Sequence, residues 1–220
     1  MEGAVKIEGG FAEVGAGVWL MGRGQPAAFF GSAVHRRRKG FFLRDRQSID
    51  LVETTAGAKC ADAQRPFLTH IPCAAPISAV SSKVLVAPAA ARTGTELVKM
   101  IPMSVRGSLC VTVFGLGAER QEAGDRSTTG QAWVVMATTS RTTRIQVADD
   151  DTLSARPESV VAWTGNRPTG FCPKLGIWDI LLPRGPRNLL LHFHGPCLVW
   201  VEGMKVESRK LNIGGRSYGA

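Results

Sequence analysis

The sequence predicts an all-β protein, a sandwich of short antiparallel strands, and three observations carry that expectation. The apolar runs are short, Gly and Pro number 25 and 12, and turn residues fall at intervals of eight to twelve along the second half. Gly and Pro punctuate regular structure for backbone reasons, and closely spaced stops between short apolar runs favour strands over long helices. At 220 residues, 44% hydrophobic and 20% charged, the chain has the means to bury one sizeable core or two small lobes.

The stretch Gly176 to Gly203 shows the pattern best. Two apolar runs, Ile177 to Leu182 and Leu189 to Phe193, flank a turn from Pro183 to Asn188, and a third, Cys197 to Val201, follows Gly195-Pro196. Leu191 and Phe193 alternate with His192 and His194, the period of a strand with unlike faces. Three such strands in succession predict an antiparallel meander.

From the N-terminus, residues 1–46 read as a Gly-rich arm that turns basic. Val18 to Met21 is its one sustained apolar run, forming a hairpin or an extended segment laid on a neighbour. Trp19 within it is the candidate anchor into a partner. His35 to Lys39 (HRRRK) follows, ahead of Phe41 and Phe42. Cations beside aromatic rings suit phosphates and stacked bases, so Arg36, Arg37, Arg38, Lys39 and Arg44 are candidate RNA or partner contacts. A solvated loop before a core strand starting at Phe41 is the alternative.

Residues 47–204 are expected to form the sandwich. Pro66, Pro72, Pro76 and Pro88 exclude long helices from its first part. Val80 to Ala87 and Leu109 to Phe114 read as strands, Thr95 to Met100 as a strand or a helical turn, and the polar stretch Ala118 to Gly130 as a loop. Gln131 to Ala137, Arg144 to Val147, Thr152 to Ala155 and Ser159 to Trp163 are further strands, with Asp149-Asp150-Asp151 and Arg156-Pro157-Glu158 as turns. Residues 205–220 form a basic tail, in which Lys205, Arg209, Lys210 and Arg216 are candidate contacts for RNA or a partner.

The formal charge is +9, and the two ends hold most of it. Residues 1–46 carry eight basic and four acidic side chains, and residues 205–220 four and one. Basic ends around a near-neutral middle point to a polyanionic partner: RNA, a ribonucleoprotein or an acidic lipid surface. A general solubilising excess is the bland alternative.

Candidate chemistry is sparse. The five cysteines are scattered without paired spacing, which argues against a secreted disulfide framework and for a reducing compartment or a mitochondrial matrix. His192 and His194 share a strand face, with Cys172 and Cys197 as conceivable co-ligands, but neither CxxC nor HxxxH spacing occurs, and no metal is expected. No G-x-S-x-G elbow is present, and no helix with a lysine follows Gly15-x-Gly17, Gly22-x-Gly24 or Gly115-x-Gly117. No catalytic residue, cofactor or enzyme activity is therefore expected. No apolar run reaches the length of a membrane span, and Glu2 and Glu8 sit where a secretory signal carries positive charge.

The order of features from Gly107 to Gly203 resembles a known family. Gly130 to Ala137 (GQAWVVMA) is followed by Arg144 to Val147 and the acidic turn. Leu153 to Thr164 (LSARPESVVAWT) and Leu189 to Trp200 (LLLHFHGPCLVW) come after it. This resembles the altered inheritance of mitochondria family, whose fold is like that of the tryptophan RNA-binding attenuation protein. Gly195-Pro196-Cys197 departs from that family's closing Gly-x-Gly. The resemblance implies a β-sandwich of two similar halves, no established catalytic residue and a place in mitochondrial organisation. The function expected is thus a non-catalytic structural subunit of a mitochondrial assembly, a ribosomal or other ribonucleoprotein component with RNA and other subunits as partners. The alternative is a peripheral organiser at the surface of the mitochondrial inner membrane, without RNA.

Overall fold

In a computed structural model, residues 5–22, 27–31, 33–36, 49–98, 109–115, 132–171, 189–203, 211–213 and 216–218 are described. Among them there is no α-helix. The chain divides into two compact units, residues 1–96 with 110–140, and residues 97–109 with 141–220.

The first unit holds β1 (Lys6–Glu8), β2 (Phe11–Val14), β3 (Gly17–Gly22), β4 (Ala27–Phe30), β5 (Ala33–Arg36), β6 (Ile49–Thr54) and β7 (Ala58–Asp62). It continues with β8 (Phe67–Pro72), β9 (Ile77–Val80), β10 (Val84–Pro88), β11 (Arg92–Val98), β12 (Leu109–Phe114) and β13 (Trp133–Thr138). The second unit holds β14 (Thr142–Val147), β15 (Thr152–Ala155), β16 (Val160–Thr164), β17 (Thr169–Phe171), β18 (Leu190–His194) and β19 (Cys197–Glu202). A terminal hairpin, β20 (Leu211–Ile213) and β21 (Arg216–Tyr218), ends the chain.

The strand pairing repeats three times. In each run of six strands the first, sixth and third lie side by side, as do the second, fifth and fourth. The first run gives β2-β7-β4 and β3-β6-β5. The second gives β8-β13-β10 and β9-β12-β11. The third gives β14-β19-β16 and β15-β18-β17. The second and third runs share a finer mark: each third strand bulges against its sixth, between Val84 and Val86 and between Val160 and Ala162. The family resemblance implies two similar halves; the observed repetition is threefold, two copies in the first unit and one in the second.

Every such run sends its chain back and forth between two sheets. In the first unit, Ala12, Val14, Ala58 and Cys60 of one sheet pack with Trp19, Met21, Val86 and Trp133 of the other. In the second, Trp163 of β16 meets Phe193 of β18 edge-on, with ring centroids 5.6 Å apart. The all-β, sandwich-like architecture expected from turn spacing is what these strands build.

Several expectations need correction. Residues 5–22 are not an arm: they form β1 to β3, and β3 is an interior strand between β6 and β10. Val80 to Ala87 is not one strand. A 3-10 turn at Ser81–Lys83 breaks it, and the chain leaves the β12 sheet for the β3–β13 sheet there. Ser81 and Thr112 hydroxyls, both buried and 2.9 Å apart, tie that corner down. Nor do the last two runs of the expected meander, Leu189 to Phe193 and Cys197 to Val201, pair with each other. β18 and β19 are separated by Gly195-Pro196 alone, yet β18 pairs with β15 and β17 while β19 pairs with β14 and β16. The two residues make a corner, not a hairpin, and a Cβ on Gly195 would collide with the Ala148 carbonyl. Periodicity was informative about which faces are apolar, and silent about which sheet receives each strand. Ile177 to Leu182, the loop at 118–130 and a core strand starting at Phe41 lie outside the described residues.

Candidate polyanion interface

The sequence-derived contact residues fall into three groups. Trp19 is corrected outright: it is 4% exposed, so it is a core residue and not an anchor for a partner. Its indole N–H donates to Thr54 Oγ1 at 3.0 Å and to the Gly15 carbonyl at 3.2 Å, and its ring lies 5.7 Å from that of Trp133. Arg36 is the last residue of β5 and Arg216 the first of β21. Arg37, Arg38, Lys39, Arg44, Lys205, Arg209 and Lys210 lie outside the described residues.

The charge distribution can nevertheless be read against the strands. Of 27 Lys and Arg and 18 Asp and Glu, eleven of each fall on described residues, which therefore balance. The whole excess of nine positive charges belongs to the intervening segments. Part of it lies where the sequence reading placed it, at 37–48 and 204–210. The rest includes Lys99, Arg106, Lys174, Arg184 and Arg187.

The other candidate groups have structural roles. His192 and His194 point to the same side of β18 as expected, opposite the buried Leu191 and Phe193. His194 Nδ1 sits 3.1 Å from the Thr152 hydroxyl, and His192 lies across from Ser154 and Thr169. No group of three metal-ligating side chains occurs among the described residues. Cys60, Cys73, Cys110 and Cys197 are free thiols. Burial pushes Cys60 up to about 12 and Cys73 up to about 11, and raises Cys197. Such thiols stay protonated at neutral pH and serve neither as nucleophiles nor as ready metal ligands. Cys60 instead donates to the Ala12 carbonyl at 3.2 Å, bridging β7 to β2. Asp149 and Asp150 form the expected turn, closed by the Asp151 N–H donating to the Ala148 carbonyl at 3.1 Å. Asp62 is 2% exposed and caps its own turn, its Oδ1 accepting from the Gln64 N–H at 2.9 Å. Among the described residues no helix is long and apolar enough to cross a membrane.

No family model and no curated protein matches the chain. Among solved structures it is similar to a Streptococcus pyogenes protein determined by X-ray crystallography as a structural-genomics target. The TM-score is 0.61 at 13% identity, over 93% of this chain and 94% of that one. At that identity the likeness concerns the fold, and it extends over nearly the whole length of both chains.

Proposed function

We propose that the protein is a non-catalytic structural subunit of a mitochondrial assembly, a ribosomal or other ribonucleoprotein particle. Its β body docks against neighbouring subunits and its basic segments contact RNA or those neighbours. The observation that carries the reading is the distribution of charge along the sequence: residues 1–46 and 205–220 together hold +7 of the chain's +9. A near-neutral middle packs against protein without long-range repulsion, while basic ends attract phosphate and release its counterions. The buried, protonated cysteines and the hydroxyl-flanked histidines fit a role without turnover. The resemblance to the altered inheritance of mitochondria family supports the compartment. Affinity purification of the full chain, with identification of what accompanies it before and after nuclease, tests the reading. Stable co-purification of a mitochondrial particle is expected; a chain that elutes alone at low salt contradicts it.

A second reading is a peripheral organiser of the inner-membrane surface that does not bind RNA. A specific observation favours it: cations in the intervening segments bracket aliphatic and aromatic runs.

A further inference from the structure

From the sheet order and the direction of the backbone groups we infer that the outer edge of β8 is a self-association surface. On it the β8 of a second copy of this chain pairs antiparallel, about a two-fold axis at Thr69. The inference concerns the first unit alone and does not depend on what the basic segments bind.

The three repeats face the same problem and meet it differently. Each opens with a strand that flanks its sixth: β2 on β7, β8 on β13 and β14 on β19. The other side of β2 is covered by β1, which lies antiparallel on it with Lys6 opposite Glu13. β8 and β14 end their sheets, and among the described residues no strand lies on their outer sides. An open edge offers its N–H and C=O groups to any other strand, and charged side chains are a common protection. β14 carries the exposed Arg144, and β11, another long edge strand, carries Arg92 and Glu96. Pro66 to Pro72 (PFLTHIP) contains no Asp, Glu, Lys or Arg. Among the described strands that end a sheet, β8 is the one longer than four residues that has no charge.

The groups that β8 turns outward follow from those it turns inward. The Cys73 N–H donates to the Ala132 carbonyl at 2.7 Å, and the Phe67 carbonyl accepts from Thr138 Oγ1 at 3.1 Å. Odd-numbered residues therefore bond toward β13. Successive residues direct their backbone groups to opposite sides of a strand, so Leu68 and His70 present N–H and C=O to the open edge. Pro66, Phe67, His70 and Pro72 are exposed, Phe67 to 41%.

This edge is complementary to itself. With Thr69 opposite Thr69 of the second copy, Leu68 lies against the second copy's His70, and the two exchange both backbone bonds. Phe67 then faces Ile71 of the second copy at the close, non-bonded spacing, an apolar pair on one face of the joined sheet. Pro66 meets Pro72 of the second copy, and since neither has an N–H the ladder stops at both ends. No like charges approach one another. The same operation on β14 would bring two copies of Arg144 onto one short ladder. Two-fold pairing uses each edge once, so it closes as a dimer.

Sedimentation velocity of the full chain from nanomolar to high micromolar concentration, with amide hydrogen exchange at both limits, tests the inference. A monomer–dimer equilibrium is expected. The Leu68 and His70 amides should exchange slowly in the dimer only, and the Thr69 and Ile71 amides slowly at both limits. His70→Pro removes an outward N–H and no bond to β13, and should weaken association about tenfold. Thr69→Lys sets like charges together at the axis and should do the same, with near-ultraviolet circular dichroism unchanged. Arg144→Gln should leave the dimer intact. A chain that stays monomeric throughout overturns the inference, as does a dimer that survives both variants. So does slow exchange of Leu68 and His70 in the monomer, which would mean that the chain covers this edge itself.

Discussion

Trp19 and Trp133 face each other at 5.7 Å between ring centroids, one from the second strand of the first repeat, the other from the last strand of the second. Neither strand belongs to the other's repeat, so the pair joins two copies of the motif within one core. Trp19 is held further by its N–H donation to Thr54, itself 3% exposed and donating to the Gly15 carbonyl at 2.8 Å.

Trp19→Ala should therefore destabilise the first unit by about 3–5 kcal/mol, the usual cost of emptying a large aromatic site. Thr54→Val should cost about 1 kcal/mol, because the indole keeps the Gly15 carbonyl as acceptor while its bond to the hydroxyl and the hydroxyl's own bond to Gly15 are lost. Urea titration followed by near-ultraviolet circular dichroism measures both. A Trp19→Ala chain as stable as the parent would return Trp19 to the role of a surface anchor.

Ser81 and Thr112 give a second, independent test, since their hydroxyls are buried and bonded across the corner that separates β9 from β10. Ser81→Ala alone should cost about 1–2 kcal/mol, because Thr112 keeps a buried hydroxyl without that partner. The double change Ser81→Ala with Thr112→Val should recover most of the loss. A double variant as weak as the sum of its parts would show that the two hydroxyls act separately.

How far this was legible in the sequence depends on the kind of information. Leu191 and Phe193 against His192 and His194 declared their faces by alternation, and the structure buries the first pair. Thr152 to Ala155 matches β15 residue for residue, since Asp and Pro turns bound it on both sides. The sheet changes were not legible. Gly195-Pro196 reads as a hairpin turn in one dimension, and only the pairing of β18 with β15 and of β19 with β14 shows a corner. Ser81-Ser82-Lys83 looks like the polar middle of a strand for the same reason: polarity does not distinguish a solvent-facing rung from a turn. Glycine spacing in residues 5–22 suggested an arm because small residues mark both tight hairpins and extended chain.

The Gly195 corner carries its own prediction. A side chain there meets the Ala148 backbone, which has no room to yield, and Gly165 supports the corner from φ +80°, its added Cβ 3.3 Å from the Pro196 carbonyl. Gly165→Ala should cost about 1–2 kcal/mol for the left-handed backbone alone, and Gly195→Ala more than that. Thermal unfolding of the two variants checks the order. Gly195→Ala with unchanged stability would mean that the corner is not built as described.

The buried thiols make stability depend on alkaline pH. Burial raises the folded-state value of Cys60 to about 12 and of Cys73 to about 11, above their ordinary value of about 9. The folded state thus holds these protons more tightly than the unfolded state does. Their contribution is complete below pH about 9 and declines as pH rises toward 11 and 12. The urea midpoint should fall as pH rises from about 9 to about 11, and Cys60→Ala should flatten part of that slope. In the folded chain at pH 8, iodoacetamide should leave both residues unmodified. Rapid labelling of Cys60 without denaturant would contradict its burial.

The central proposal is that attachment belongs to the basic ends of the chain, which hold +7 of its +9. Elution from immobilised heparin as salt rises tests it directly. Replacing Arg37, Arg38, Lys39, Arg44 and Arg46 with Gln should move elution to markedly lower salt with thermal stability unchanged, whereas replacing Arg144 and Arg156 on the body should move it little. Equal shifts from the two sets, or no shift from the first, would contradict the account.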